Sequence, residues 1–267
     1  MTIKLLDSNF SHHTHSKLSC DEQYYSDLIW DRNITNPNDL TVITDYQLKS
    51  HNIFRNKIAW ILEPKTILSG VYEWIKDNNL NFKSVFIHDK ELLDLNQNYK
   101  FVPVGGSWIW KKDQQIYEKF KLLDIIASNK QQTEGHKLRH NIINKFRDKL
   151  DIYGRGINTL NYKLDGLKDY MFSIVVENGN YDYYFTEKLI DCFVTGTIPI
   201  YWGCPSICNF FNDKGILKFN NLEELENIIN NLSEFKYISM KEYIQDNFNK
   251  AQEYLLSEEY MIKNNLI

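Results

Sequence analysis

The stretch from Ser173 to Phe211, SIVVENGNYDYYFTEKLIDCFVTGTIPIYWGCPSICNFF, constrains the fold more than any other part of the chain. It is preceded by Phe172, and Phe172 to Val176 is a short, β-branched apolar run, as expected of a buried strand. A polar, tyrosine-rich loop follows, Glu177 to Phe185. Thr186-Glu187-Lys188 then opens a segment with Leu189, Ile190, Phe193 and Val194 at helical spacing, ended by Gly196. Thr197 to Trp202 reads as the next strand, and Gly203, Cys204 and Pro205 turn the chain again. A strand, helix and strand in this order belong to an open parallel sheet, whose ligands sit at the carboxyl ends of the strands.

The residues at that end select a ligand chemistry. A helix N-terminus presents unpaired N–H groups and partial positive charge, which suits a phosphate. Lys188 adds a full charge in the first turn, whereas the Glu187 carboxylate would repel phosphate and suits a pair of sugar hydroxyls instead. The pair therefore describes a nucleoside diphosphate, with ribose on Glu187 and phosphate on Lys188. Tyr181, Tyr183 and Tyr184 are placed to stack on a base or bond a phosphate. A plainer reading also fits the three letters Thr-Glu-Lys alone: Glu187 caps the helix, Lys188 is solvated and the tyrosines fill the core.

The longer pattern resembles the α-1,3/4-fucosyltransferases of glycosyltransferase family 10. It is carried by Val176-Glu177-Asn178, Tyr184-Phe185-Thr186-Glu187-Lys188 and Pro199-Ile200-Tyr201-Trp202-Gly203-Cys204-Pro205, with Val for Phe, Phe for Val and Cys for Ser as departures. The resemblance implies an α/β protein of GT-B type, two Rossmann-like domains facing across a cleft. It also implies an inverting glycosyltransferase that moves L-fucose from GDP-fucose to a hydroxyl of an oligosaccharide. By the family pattern Asn178, Tyr184, Glu187 and Lys188 hold the nucleotide, while Glu177, Pro199 and Trp202 are architectural. Two other functions share these residues: a transferase using a different nucleotide sugar, and a catalytically silent nucleotide-sugar binder.

The first half supplies the acid that separates an enzyme from a binder. Strands are expected at Ile3–Leu6, Leu40–Thr44, Lys57–Leu62, Ser84–His88 and Tyr99–Pro103, with a helix over Val71–Asn78. Glu63 follows the third of these strands and precedes Pro64, which bends the chain. An inverting transferase needs a carboxylate to take the proton of the acceptor hydroxyl, and a strand's carboxyl end is the place for it. A surface acid in a turn is the competing reading, and the family's flanking residues match only in part here. The His12, His13 and His15 cluster is read as a polar loop, and Gly105 to Trp110 either as cleft lining near the acceptor or as a tight turn followed by buried tryptophans.

The charged connector 111–121 divides an N-terminal, acceptor-side domain (residues 1–115) from a C-terminal, nucleotide-sugar-binding domain (116–267), whose last helix is expected to cross back. In the second half a strand at Leu122–Ala127, a polar loop and a helix at Lys137–Phe146 repeat the phosphate-site layout. The family pattern carries an Arg in that helix, before a Tyr-Gly turn supplied here by Tyr153-Gly154; Arg139 would clamp the β-phosphate with its planar fork. His136 and His140 lack further ligands for zinc and read as a basic helix face. With no Asp-x-Asp in the chain, no metal and no cofactor are expected.

Composition excludes other classes. The net charge is -4 and the 31 Lys and Arg are scattered, so nucleic acid is not an expected partner. No stretch approaches the ~20 apolar residues of a membrane span. Cys20, Cys192, Cys204 and Cys208 form no disulfide framework, and the N-terminus lacks an export signal, so free thiols and a cytoplasmic location are expected.

Overall fold

The computed structural model describes residues 1–7, 10, 15–16 and 26–267; His12, His13 and Cys20 lie outside them. Two separate sheets, each wholly parallel, carry the chain. The first contains β1 (Thr2–Leu6), β2 (Ile29–Asp31), β3 (Thr41–Thr44), β4 (Lys57–Trp60), β5 (Val85–Ile87) and β6 (Tyr99–Phe101), in the order β2-β1-β3-β4-β5-β6. The second contains β7 (Lys121–Ile126), β8 (Asp151–Tyr153), β9 (Tyr170–Val176), β10 (Ile198–Trp202) and β11 (Leu217–Lys218), in the order β11-β10-β9-β7-β8. Both orders place the second strand outside the first and the third inside it. Each sheet therefore has a switch point, between β1 and β3 and between β7 and β9, where a crevice opens beyond the carboxyl ends.

Parallel strands covered on both faces are apolar throughout rather than alternating. All seven residues of β9 and all five of β10 are buried, as are all four of β3 and of β4. Helices α1 (Lys65–Asn78) and α2 (Lys90–Leu93) follow β4 and β5, and α3 (Glu134–Phe146) and α4 (Glu187–Phe193) follow β7 and β9. Thr133 and Thr186 cap α3 and α4 with their hydroxyls. The chain ends in α5 (Leu222–Asn230), α6 (Glu234–Ser239), α7 (Lys241–Ala251) and α8 (Ser257–Lys263).

The last of these rejoins the first sheet. Met261 packs with Ile3, Trp60 and Phe86 in one apolar cluster. The buried Glu258 carboxylate accepts the Trp30 indole N–H at 2.9 Å and the Ser16 amide at 2.7 Å. The Gly105-Gly106 turn is tied down too: Gly105 N–H donates to Phe185 O and Gly106 N–H to Tyr254 O. Gly105 has φ +39°, and a Cβ there would lie 2.8 Å from Tyr254 O, so no larger residue fits the crossing.

Several expectations change at this level. Lys57 to Leu62 stops being strand at Trp60, leaving Ile61 to Pro64 as an irregular approach to α1. The Tyr153-Gly154 turn begins as a three-residue edge strand, and β2, Ile29-Trp30-Asp31, is too short to show an alternating signal. Of the tryptophans after the Gly-Gly turn, Trp110 is 40% exposed rather than buried.

Candidate active site

A cleft of about 530 Å³ runs along the carboxyl edges of both sheets. The six residues expected from the sequence, Glu63, Arg139, Asn178, Tyr184, Glu187 and Lys188, all line it. Its volume is in the range of ordinary small-ligand sites. Four cationic side chains, Lys130, Arg139, Arg155 and Lys188, and two carboxylates, Glu63 and Glu187, line the cleft. The cationic excess lies at the switch point of the second sheet, as an anionic ligand requires.

Glu177 organises that end. It follows β9, is fully buried, and its Oε1 accepts the Thr186 amide while its Oε2 accepts the Thr186 hydroxyl, both at 2.8 Å. The Lys188 ammonium stands 3.3 Å from the same Oε2 and donates to Thr186 Oγ1 at 3.0 Å. Glu187 Oε1 lies 3.5 Å from that ammonium. One buried carboxylate thus holds both the start of α4 and the lysine. Gly203 makes room for it, since a Cβ there would come within 2.6 Å of Glu177 Cγ. Helix α4 has only seven residues, so its dipole is short and the positive charge here comes mainly from side chains.

Arg139 reaches the cleft from α3. Its Nε and Nη2 both donate to the carbonyl of Val176, at 2.9 and 2.7 Å, and Nη2 also donates to Asn178 Oδ1 at 2.9 Å. Two edges of the guanidinium are therefore committed to the end of β9, and Nη1 takes part in none of these bonds. Burial lowers its pKa, but a guanidinium remains cationic. The close approach of α3 to the 177–178 backbone demands Gly135, whose added Cβ would sit 1.7 Å from Glu177 O. His136 caps the same helix through Nδ1 and lines the cleft; burial first, then Arg139, lowers its pKa to about 4, so it is neutral at pH 7.

Tyr184 is the one loop tyrosine that lines the cleft. Its ring lies 5.0 Å from that of His88, and burial followed by the charges of Glu177, Glu63 and Glu187 raises its pKa well above 10.0. Tyr183 instead packs edge-on against Phe101 and Phe210, and the Tyr181 ring lies under the Lys65 ammonium. At the end of the first sheet, Glu63 lines the same cleft, half-buried in the bend before Pro64, and no described residue gives its carboxylate a hydrogen bond or ion pair. Its backbone carbonyl accepts the Tyr72 hydroxyl at 3.1 Å.

Ser128, Asn129 and Lys130, of the polar loop read from the sequence, also line the cleft, as do Arg155, Leu62 and Val104, which carried no sequence role. Their common signal is position: the first three follow β7 and Arg155 follows β8, all at the carboxyl edge. Trp108 lines the cleft as well, held by Asp191, which accepts the Trp108 amide at 2.9 Å and the Ser107 hydroxyl at 2.7 Å. Partly buried Lys163 pairs with the other Asp191 oxygen at 2.6 Å. Among the described residues no group of three His, Cys, Asp or Glu is placed to hold a metal ion, and no helix is long and apolar enough to cross a membrane.

The fold and the sequence lead to the same relatives. A crystal structure of an α1,3-fucosyltransferase superposes with a TM-score of 0.59 over 97% of this chain and 90% of that one, at 19% identity. One with GDP gives 0.58 at 18% identity, over 97% and 90%, and one with GDP-fucose 0.53 at 19%, over 85% and 80%. At such identities the likeness establishes the fold, a GT-B pair of parallel sheets. The α-(1,3)-fucosyltransferase FucT of Helicobacter pylori is 39% identical over 85 residues, 30% of this chain, and the match spans only 17% of that protein's length. Residues 116–260, more than half of the chain, match the model of the glycosyltransferase family 10 (fucosyltransferase) C-terminal region, and the chain belongs to that family.

Proposed function

We propose that this protein transfers L-fucose from GDP-fucose to a hydroxyl of an oligosaccharide, with inversion at the anomeric carbon and without a metal ion. The observation that carries the proposal is the cleft itself: a half-buried carboxylate with no described partner, Glu63, in one cleft with the fixed cations Arg139 and Lys188. Residues 116–267 act as the donor side and residues 1–115 as the acceptor side.

In this mechanism the diphosphate lies against Lys188 and the Nη1 edge of Arg139, with Asn178 keeping the guanidinium in register. Glu187 accepts the ribose hydroxyls, and Tyr184 closes the apolar side of the donor pocket. The acceptor oxygen attacks the anomeric carbon from the face opposite the diphosphate and gives its proton to Glu63. The bond from that carbon to the β-phosphate oxygen breaks, and its electron pair leaves with GDP. Negative charge grows on the leaving diphosphate, where preorganised cations in a low-dielectric cleft stabilise it best. A positioned base contributes ~10²–10⁴ in rate and the fixed charges supply the remaining electrostatic stabilisation.

The test is calorimetry of the purified chain with GDP-fucose, other GDP-sugars and UDP-sugars, followed by transfer to N-acetyllactosamine-like acceptors with the product anomer read by NMR. Preference for GDP-fucose and an inverted product support the proposal. Tight binding without transfer to any acceptor favours the silent binder, and preference for another donor favours the other transferase.

A further inference from the structure

Glu63 sits where secondary structure does not hold it. The ladder of β4 ends at Trp60, α1 starts at Lys65, and Ile61 N–H to Phe86 O is the last sheet-like bond before the bend. A base must keep its carboxylate within a fraction of an ångström of the reacting proton, so something else has to fix this segment. Two side chains do so. The Leu62 amide donates to Asp45 Oδ1 at 2.8 Å, and the Glu63 carbonyl accepts the Tyr72 hydroxyl at 3.1 Å. Pro64 narrows the backbone of Glu63 further.

Asp45 is unusual in its own right. It follows β3, the neighbour of β4 in the sheet, and is fully buried. Its φ is +43°, in the left-handed region that residues other than Gly, Asn and Asp seldom enter. That twist comes at the strand end from which the side chain reaches the amide ahead of Glu63. Tyr72, on α1, is buried too, and its hydroxyl lies 3.4 Å from Nε2 of His88, whose ring packs tilted against that of Tyr184. The bend carrying Glu63 is thereby linked to the donor side of the cleft.

We infer that Asp45 is a positioning residue for the transfer step, fixing the backbone before Glu63 while the Tyr72 hydroxyl fixes it after. The inference rests on the reading of Glu63 as the base. An anchor for Glu63 matters only through Glu63, and this separates it from an ordinary structural bond.

The experiment measures single-turnover transfer at saturating GDP-fucose, with GDP-fucose affinity beside it, for Asp45→Gly, Asp45→Asn and Tyr72→Phe. Each variant is made in wild type and in Glu63→Gln. Asp45→Gly accepts the left-handed backbone but loses the anchor, and should slow transfer by about 10- to 100-fold with donor affinity within twofold. Asp45→Asn keeps an acceptor and tolerates the backbone, and should stay within about threefold of wild type. Tyr72→Phe deletes only the hydroxyl and provides an independent reading should Asp45→Gly fold poorly; about a threefold to tenfold loss is expected. In the Glu63→Gln background these losses should vanish, because residues acting as a unit are not additive. Wild-type transfer by both Asp45→Gly and Tyr72→Phe, or equal losses in the two backgrounds, overturns the anchor. Wild-type transfer by Glu63→Gln itself overturns the base reading instead, and the anchor falls with it.

Discussion

Removal of the Glu177 side chain should damage stability and donor binding together. Glu177→Ala strips the buried Thr186 amide of its acceptor at 2.8 Å, the Thr186 hydroxyl of its acceptor at 2.8 Å, and the Lys188 ammonium of a counter-charge at 3.3 Å. Loss of one partner from a buried, hydrogen-bonded charge costs about 3–5 kcal/mol when the other is wholly buried. Here Lys188 is 25% exposed and keeps Thr186 Oγ1, so water recovers part of the loss. The Thr186 amide has no such recourse, and an orphaned donor alone costs about 1–3 kcal/mol. The expected destabilisation is about 2–4 kcal/mol, measured by urea unfolding followed through tryptophan fluorescence. The Kd for GDP should rise about tenfold in calorimetry, because an unanchored α4 start no longer holds Lys188 in place, a loss of about 1.4 kcal/mol. A variant within about 0.5 kcal/mol of wild type in unfolding, the scatter of surface substitutions, and with unchanged GDP affinity would refute this account of Glu177.

Three further outcomes follow from the same geometry. Lys188→Ala and Arg139→Ala should each weaken GDP binding by about 1.5–3 kcal/mol in calorimetry, the worth of a charge-assisted bond. Arg139→Ala should also lower the unfolding midpoint, since its Nε and Nη2 bond Val176 and Asn178. Burial lowers the His88 pKa to about 3 from an ordinary 6.5, so the unfolded chain takes up a proton first as pH falls. The stability from neutral His88 is complete above pH 6.5 and lost towards pH 3, at up to about 1.4 kcal/mol per pH unit; His88→Phe, which keeps a ring against Tyr184, should flatten that slope in unfolding titrations. Transfer should survive EDTA, with the initial rate as the readout, whereas loss on chelation restored by manganese contradicts charge compensation by Arg139 and Lys188.

The second half is legible because its strands are uninterrupted apolar runs and its polar residues gather at one turn. Glu187 and Lys188 stand at a helix start, but only the longer family pattern separates them from a capping acid and a solvated lysine, and Glu63 was singled out by its place between a strand and a proline. Less legible were interactions that depend on a second element. Nothing local tells that Arg139 gives two of its edges to the Val176 carbonyl and Asn178, because the partner is on β9 and the arginine on α3. Glu177 reads as architectural, but its grip on Lys188 exists only once the loop folds back over nine residues to Thr186. Asp45 gave no signal, since a left-handed φ at a non-glycine residue has no sequence mark. Short edge strands such as β2 (Ile29-Trp30-Asp31) and β8 (Asp151-Ile152-Tyr153) escaped because three residues are too few to show a period.

The central claim is that Glu63 takes the acceptor's proton, and one paired measurement on Glu63→Gln tests it most directly. Calorimetry gives its affinity for GDP-fucose, and single-turnover transfer gives the chemical step. The account predicts affinity within twofold of wild type and transfer slowed by ~10²–10⁴. Transfer at the wild-type rate by Glu63→Gln would contradict it and move the base to another residue of the cleft.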